Sequence, residues 1–249
     1  DVNGTVNLWK LGEKTVWIGQ RAKGTTQSPI KHAKDGVYAG ISDIGFSERN
    51  PNLLLTNSED GQAIVWLLDW QGRGLMRVEK GEKNHWPLLH DRPVSAGKFI
   101  SLRDNETSVL TISGKNAQIW TDSRSKTESI RAHDDWVTDA NVSINGEQLV
   151  TASTDGLARV WSTRSVTPIA TLRGHRGSVN RAVFSTDETH VVTGSEDGTV
   201  RVWHVQGPRL LQSRPKAWAL GAALDPQSTR VAVGGEAFGQ ILEIGEIGR

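Results

Sequence analysis

The sequence predicts an all-β chain assembled from repeated antiparallel sheets of four strands, with no helix. Three observations carry this. Trp outnumbers Phe and Tyr, 10 against 4 and 1, a count that fits one repeated structural role better than general core filling. The segments ending in those Trp residues superpose: NGTVNLW to Trp9, EDGQAIVW to Trp66, SGKNAQIW to Trp120, TDGLARVW to Trp161 and EDGTVRVW to Trp203, with GEAFGQIL to Leu242 as a copy lacking Trp. The intervals from Trp120 onward are 41, 42 and 39 residues, and the earlier ones, 57 and 54, fit a unit of about 40 that carries insertions.

The elements follow from the clearest copy. Val179–Phe184 is a first strand, and Ser185-Thr-Asp-Glu is a turn. His190–Gly194 is apolar and β-branched, Glu196-Asp197-Gly198 turns, and Thr199–His204 alternates. Asp-Gly between alternating runs signals a hairpin, because Gly accepts the positive φ of a tight turn. Pro208–Ser213 completes the four. Along the chain the units run roughly 1–18 (partial), 32–79, 90–131, 133–172, 175–213 and 217–245, all within one domain spanning 1–249. Thr5–Trp9 and Thr15–Ile18 read as third and fourth strands. Lys10–Lys31 and Leu68–Leu89 read as insertions, the second a docking loop or a long solvated connection. A lone four-stranded sheet leaves two partly apolar faces open. Stacking copies about an axis buries both and leaves few open edges.

Arg173–Trp203 and Arg131–Trp161 resemble the WD (Trp-Asp) repeat, His32–Trp66 resembles it less closely, and the two ends least. The fold implied by this resemblance is a β-propeller of four-stranded antiparallel blades. About five to six blades are then present, as part of a seven-bladed ring and of a longer polypeptide. The residue after each Trp departs from the family's Asp: Lys10, Leu67, Thr121, Ser162 and His204.

The resemblance also implies a hydrogen-bonded His–Thr–Asp–Trp tetrad in each well-matched unit. The matching positions are His32, Thr56, Asp60 and Trp66; His133, Thr151, Asp155 and Trp161; and His175, Thr193, Asp197 and Trp203. The chemistry is intelligible without it. A buried His, Asp and Trp N–H each need a partner, and one network satisfies them all. Thr, His and Asp are also the ingredients of a nucleophile, base and orienter. Their recurrence in triplicate with a Trp attached points to a structural lock. The other copies have decayed: Gly114 stands at the Asp position of the Trp120 unit although His90 is in place, and the last unit has Ala232, Glu236 and Leu242. Asn3 takes the Asp position of the opening fragment.

Function in the family sits on the face bearing the loop before the first strand and the second turn. Carried over, the partner-binding positions are Trp136, Thr138 and Thr154; Ser178, Asn180 and Glu196; Ser42 and Glu59 beside Gly40; Ser95 beside Pro93 and Ser113; and Trp218 with Leu220 and Gly235. Trp136 and Trp218 are the candidate aromatic anchors. Trp136 follows His-Asp-Asp, an acidic rim.

Several classes of function are disfavoured. Lys plus Arg is 29 and Asp plus Glu 28, so the net charge of +1 gives no broad footprint for nucleic acid. Hydrophobic residues make up 36%, too many for a disordered chain, and no apolar run nears the ~20 residues of a membrane-spanning helix. With Cys absent, disulfides and thiolate metal sites are excluded. His85 and His90 lack metal-ligand spacing, and no phosphate loop or dinucleotide fingerprint occurs, so no metal and no cofactor are expected. Asn105 and Asn141 match the glycosylation pattern, Asn141 within a strand. Arg159 and Arg201 are expected to cover blade surface with their stems. The expectation is a non-catalytic scaffold that docks protein or peptide partners. The alternatives are a regulatory module of a larger signalling protein and, behind it, a propeller enzyme.

Overall fold

The computed structural model describes residues 33–34, 37–47, 49–67, 69–71, 75–77, 85–101, 107–120, 126–206, 209–215, 221–224, 230–235 and 238–243. His32, Trp218, Leu220, Asn105 and the opening strands to Ile18 lie outside them. Every regular element among the described residues is a strand. A two-residue pair, β1 (Ala33–Lys34) with β2 (Val37–Tyr38), precedes the first large sheet. That sheet holds β3 (Ile41–Phe46), β4 (Leu53–Ser58) and β5 (Gln62–Leu67). A small hairpin follows, β6 (Asp69–Gln71) with β7 (Leu75–Arg77), and then β8 (His85–Leu89). The order β3-β4-β5-β8 puts the fourth strand at the far end of the stretch read as an insertion, beyond residue 79, where the sequence reading closed the unit.

The next sheet is β9 (Val94–Ser101), β10 (Thr107–Ser113), β11 (Asn116–Trp120) and β12 (Lys126–Arg131). It is followed by β13 (Val137–Val142), β14 (Gln148–Ser153), β15 (Ala158–Ser162) and β16 (Pro168–Leu172). Then come β17 (Val179–Phe184), β18 (His190–Ser195), β19 (Thr199–His204) and β20 (Arg209–Pro215). A three-stranded sheet closes the series: β21 (Gly221–Leu224), β22 (Arg230–Gly235) and β23 (Phe238–Glu243). Each large sheet pairs neighbours in chain order, and we call them blades 1 to 5. The fold class is all-β, with successive four-stranded antiparallel blades of the propeller type.

The chain forms two compact units. One comprises residues 1–99, 109–113 and 120–126; the other comprises 100–108, 114–119 and 127–249. In the first, Leu53, Leu55, Ala63, Val65 and Leu88 of blade 1 form one buried cluster with Val94, Val109 and Trp120 of blade 2, and Phe99 packs against it. In the second, Val150, Ala152, Ala158, Val160, Ala170 and Leu172 of blade 3 cluster with Val179, Ala182, Val191, Trp203 and Val205 of blade 4, with Phe184 alongside. The core therefore lies between blades. Each fully buried Leu or Val there contributes about 1.5–3 kcal/mol relative to exposure. Middle strands are covered on both faces, so Leu53–Ser58 is buried throughout instead of alternating.

First strands carry the contacts between blades. β17 packs on β13 and β14, and β21 on β17 and β18. The first strands β3, β13 and β17 each carry a register shift, at Ile41/Asp43, Val137/Asp139 and Val179/Arg181. In β3 and β13 the bulge frees an Asp to reach across. Asp43 accepts the Gly97 N–H of blade 2 at 3.2 Å. Asp139 accepts the Ala182 N–H of blade 4 at 3.2 Å and an Arg181 guanidinium N–H at the same distance.

Candidate functional site

The site is built on the turn between second and third strands. In blade 3, Ser153 Oγ accepts the Asp155 N–H at 3.0 Å, and Asp155 Oδ1 accepts the Leu157 N–H at 3.0 Å. Blade 4 repeats this with Ser195, Asp197 and Thr199 at 3.1 and 2.9 Å. Blade 1 repeats it with Ser58, Asp60 and Gln62 at 3.3 and 2.9 Å. The Gly after each Asp has φ near +80°: 83 at Gly61, 78 at Gly156 and 78 at Gly198. At Gly61 a Cβ would also stand 2.8 Å from the His90 carbonyl, so only Gly fits.

The Asp does a second job. In blade 3 its carboxylate lies 3.0 Å from His133 Nδ1, while His133 Nε2 lies 2.8 Å from Thr151 Oγ1. Trp161 Nε1–H donates to that same Thr oxygen at 3.0 Å. In blade 4 the corresponding distances are 2.9 Å (His175 to Asp197), 2.7 Å (His175 to Thr193) and 2.8 Å (Trp203 to Thr193). One proton assignment satisfies the chain: Nδ1–H donates to Asp, Thr O–H donates to Nε2, and Trp N–H donates to Thr. In blade 1, Trp66 Nε1–H donates to Thr56 Oγ1 at 2.8 Å.

Arg159 and Arg201 do more than cover surface. Arg159 Nη1 donates to Asp155 Oδ2 at 2.9 Å and to the Ala132 carbonyl at 3.1 Å. Arg201 Nη2 lies 3.7 Å from Asp197 Oδ2, and its Nε–H donates to Thr199 Oγ1 at 3.2 Å. Both Arg side chains are 14% exposed, and the Asp side chains they approach are 12% and 8% exposed. Burial pushes His133 and His175 below the ordinary 6.5, against the opposing pull of their Asp partners. The nearby Arg charge adds to the downward shift. Burial alone would raise the Asp197 carboxyl. The hydrogen bonds from Thr199 Oγ–H, the Arg176 N–H and His175 outweigh it and hold the group well below the usual carboxylate range. Asp155 is lowered in the same way, chiefly by His133.

This geometry excludes the nucleophile reading of Thr. Thr151 and Thr193 are 0% exposed, and each already serves an indole and an imidazole, so neither has room for a substrate. Among the described residues, no group of three or more His, Asp and Glu side chains is placed to hold a metal ion.

Blade 2 differs. Thr111 and Trp120 are nine residues apart instead of ten, and Trp120 Nε1–H still donates to Thr111 Oγ1 at 2.8 Å. The turn is one residue shorter, so Gly114, φ +58, heads a tight hairpin and the Asp position is deleted instead of being filled by Gly. His90 keeps its place edge-on to Trp120, with ring centroids 5.4 Å apart.

The proposed partner positions pair up. The carbonyl before each first strand accepts the N–H of the residue before the turn Asp: Gly40 from Glu59 at 3.0 Å, Trp136 from Thr154 at 2.9 Å, and Ser178 from Glu196 at 2.9 Å. Ser178 Oγ–H donates to Asn180 Oδ1 at 3.0 Å, and Ser95 Oγ–H to the Ile112 carbonyl at 3.3 Å. Two positions have a further use. Ser42 Oγ–H donates to the Val94 carbonyl at 2.5 Å, and Thr138 Oγ–H to the Val179 carbonyl, so these hydroxyls stitch one blade to the next. Trp136 is 47% exposed, whereas Trp66, Trp120, Trp161 and Trp203 are 2–7% exposed.

Fold and site together define a protein of repeated β-blades, two of them, blades 3 and 4, fastened by the full polar lock, with short turns presented at the surface. Residues 124–162 and 166–204 match the family model described as WD domain, G-beta repeat. These two segments, about a third of the chain, match the WD-repeat family. Each match spans the outer strand of one blade and the inner three strands of the next, β12 with β13–β15 and β16 with β17–β19. No curated protein matches the chain. WD repeats generally mediate protein–protein interaction and are typically non-catalytic. No helix among the described residues is long and apolar enough to cross a membrane, which says nothing of strands.

Proposed function

We propose that this chain is a non-catalytic scaffold that docks protein or peptide partners through the turns carrying the polar locks. The observation that supports it best is Trp136. A large aromatic ring stands half-exposed on a backbone fixed from both sides: its N–H donates to Asp135 Oδ1 at 2.9 Å, and its carbonyl accepts both the N–H and the Oγ–H of Thr154. A rigid exposed aromatic is a preorganised anchor, because little conformational freedom remains to be lost on binding. Ser178, Glu196, Asn180 and Thr154 supply polar contacts on blades 3 and 4, and Glu59, Ser95 and the hydroxyl-tethered Ser42 do so on blades 1 and 2. The test is affinity capture with the full chain and with Trp136→Ala. The variant should fold with an unchanged melting temperature and lose captured proteins. Capture of the same proteins in the same amounts would count against the proposal.

A further inference from the structure

We infer that Trp136 and the carboxylates of Asp134 and Asp135 form a subsite for a basic side chain, an arginine or lysine of a bound peptide. The inference rests on the docking proposal and gives it a partner chemistry. Asp134 is 88% exposed at its side chain, two residues from the half-exposed indole. Asp135 is also exposed, and its Oδ1 accepts the Trp136 backbone N–H, which fixes a carboxylate at the main chain from which the indole projects. The loop cannot turn away. His133, the residue before Asp134, is 2% exposed and locked to Asp155 and Thr151. Lys115 Nζ–H donates to the Asp134 carbonyl and clamps the loop from the other side.

The charges favour a cation. Asp134, Asp135 and Asp155 lie in or against this loop, and the cations touching it are Lys115, held on a backbone carbonyl, and Arg159, which is bound mainly to Asp155. Arg159 reaches Asp134 only at 3.9 Å, so the outer carboxylates keep most of their charge for an incoming group. An indole face attracts a cation through its quadrupole, and a neighbouring carboxylate adds a direct ion pair. An acidic peptide meets like charge there. A purely apolar one would leave the carboxylates desolvated and unpaired.

The probe is a synthetic glycine-serine peptide carrying three arginines, compared with the same peptide carrying citrulline, which is neutral and nearly isosteric, at those positions. Binding is followed on the full chain by the indole N–H resonance of Trp136, assigned by its loss in Trp136→Phe. The arginine peptide should move that resonance saturably and bind about ten-fold more tightly than the citrulline peptide. Its affinity should fall several-fold in Asp134→Asn/Asp135→Asn and again as salt is raised. Equal affinity for both peptides, or arginine-peptide binding that leaves the Trp136 resonance in place, would overturn the inference. Either result with Trp136-dependent capture intact would leave the docking proposal standing, so the two fail separately.

Discussion

Blades 2 and 4 carry the same tryptophan in two different settings. In blade 4, Trp203 is tied to Thr193, Thr193 to His175, His175 to Asp197, and Asp197 is approached by Arg201. In blade 2 the turn has lost its Asp, yet Trp120 keeps its bond to Thr111 at the same 2.8 Å and stays in the cluster between blades 1 and 2. The lock therefore has two separable halves. The Thr–Trp bond belongs to packing: the ring fills the space against the preceding blade while the indole N–H is satisfied within its own. Phe could fill the space without making that bond, which accounts for Trp at positions 66, 120, 161 and 203. The His–Asp half belongs to the loops, because it ties the segment before the first strand to the second turn. That is the pair of segments on which the proposed partner positions stand.

The largest effect that follows from this comparison comes from Asp197→Ala. It strands the His175 and Arg176 N–H groups and the Thr199 N–H, removes the carboxylate beside the Arg201 guanidinium, and should cost about 2–4 kcal/mol by denaturant unfolding. A loss below about 0.5 kcal/mol would deny the His–Asp half any structural role. Asp139→Ala comes next at about 1–3 kcal/mol, because it removes the acceptor for Ala182 N–H and the partner of Arg181 across the blade boundary. Thr111→Val and Thr193→Val sharpen the contrast. Both remove an acceptor from an indole N–H, but Thr193 also serves His175, so its loss should exceed that of Thr111, which should be about 1 kcal/mol.

The smallest effect is in the pH dependence. His133 and His175 are depressed in the folded chain, so they favour folding as neutral groups. Their contribution is complete above 6.5 and is lost as pH falls from there toward their lowered values. Asp197 and Asp155 have the same sign at lower pH, their contribution being present above 3.8 and lost below it. Melting temperature should fall in two stages on acidification. His175→Gln should be less stable at pH 7 and should flatten the upper stage. An upper stage of unchanged depth in that variant would contradict the assignment.

The sequence made the repeat legible because the lock needs particular residue types at fixed spacing: Thr151, Asp155 and Trp161 stand four and six apart, as do Thr193, Asp197 and Trp203. It obscured whatever depended on backbone register. Counting back from Trp120 puts Gly114 at the Asp position, and a one-residue deletion in the turn is invisible to that count. The bridging role of Asp43 and Asp139 depends on bulges that no residue pattern announces. Ser two positions before each turn Asp was a findable signal, present as Ser58, Ser153 and Ser195. Arg two positions before Trp161 and Trp203 reads as surface coverage, because nothing in the spacing shows that its guanidinium folds back onto the Asp.

Trp66, Trp120, Trp161 and Trp203 are held by Thr oxygens inside the blades, and Trp136 stands half-exposed outside them. Hydrogen exchange of the indole N–H groups reads this directly. The four should be protected, each held by a buried Thr oxygen, and Trp136 should exchange at the rate of a free indole. Protection of Trp136 equal to that of Trp203, or free exchange at Trp203, would contradict it.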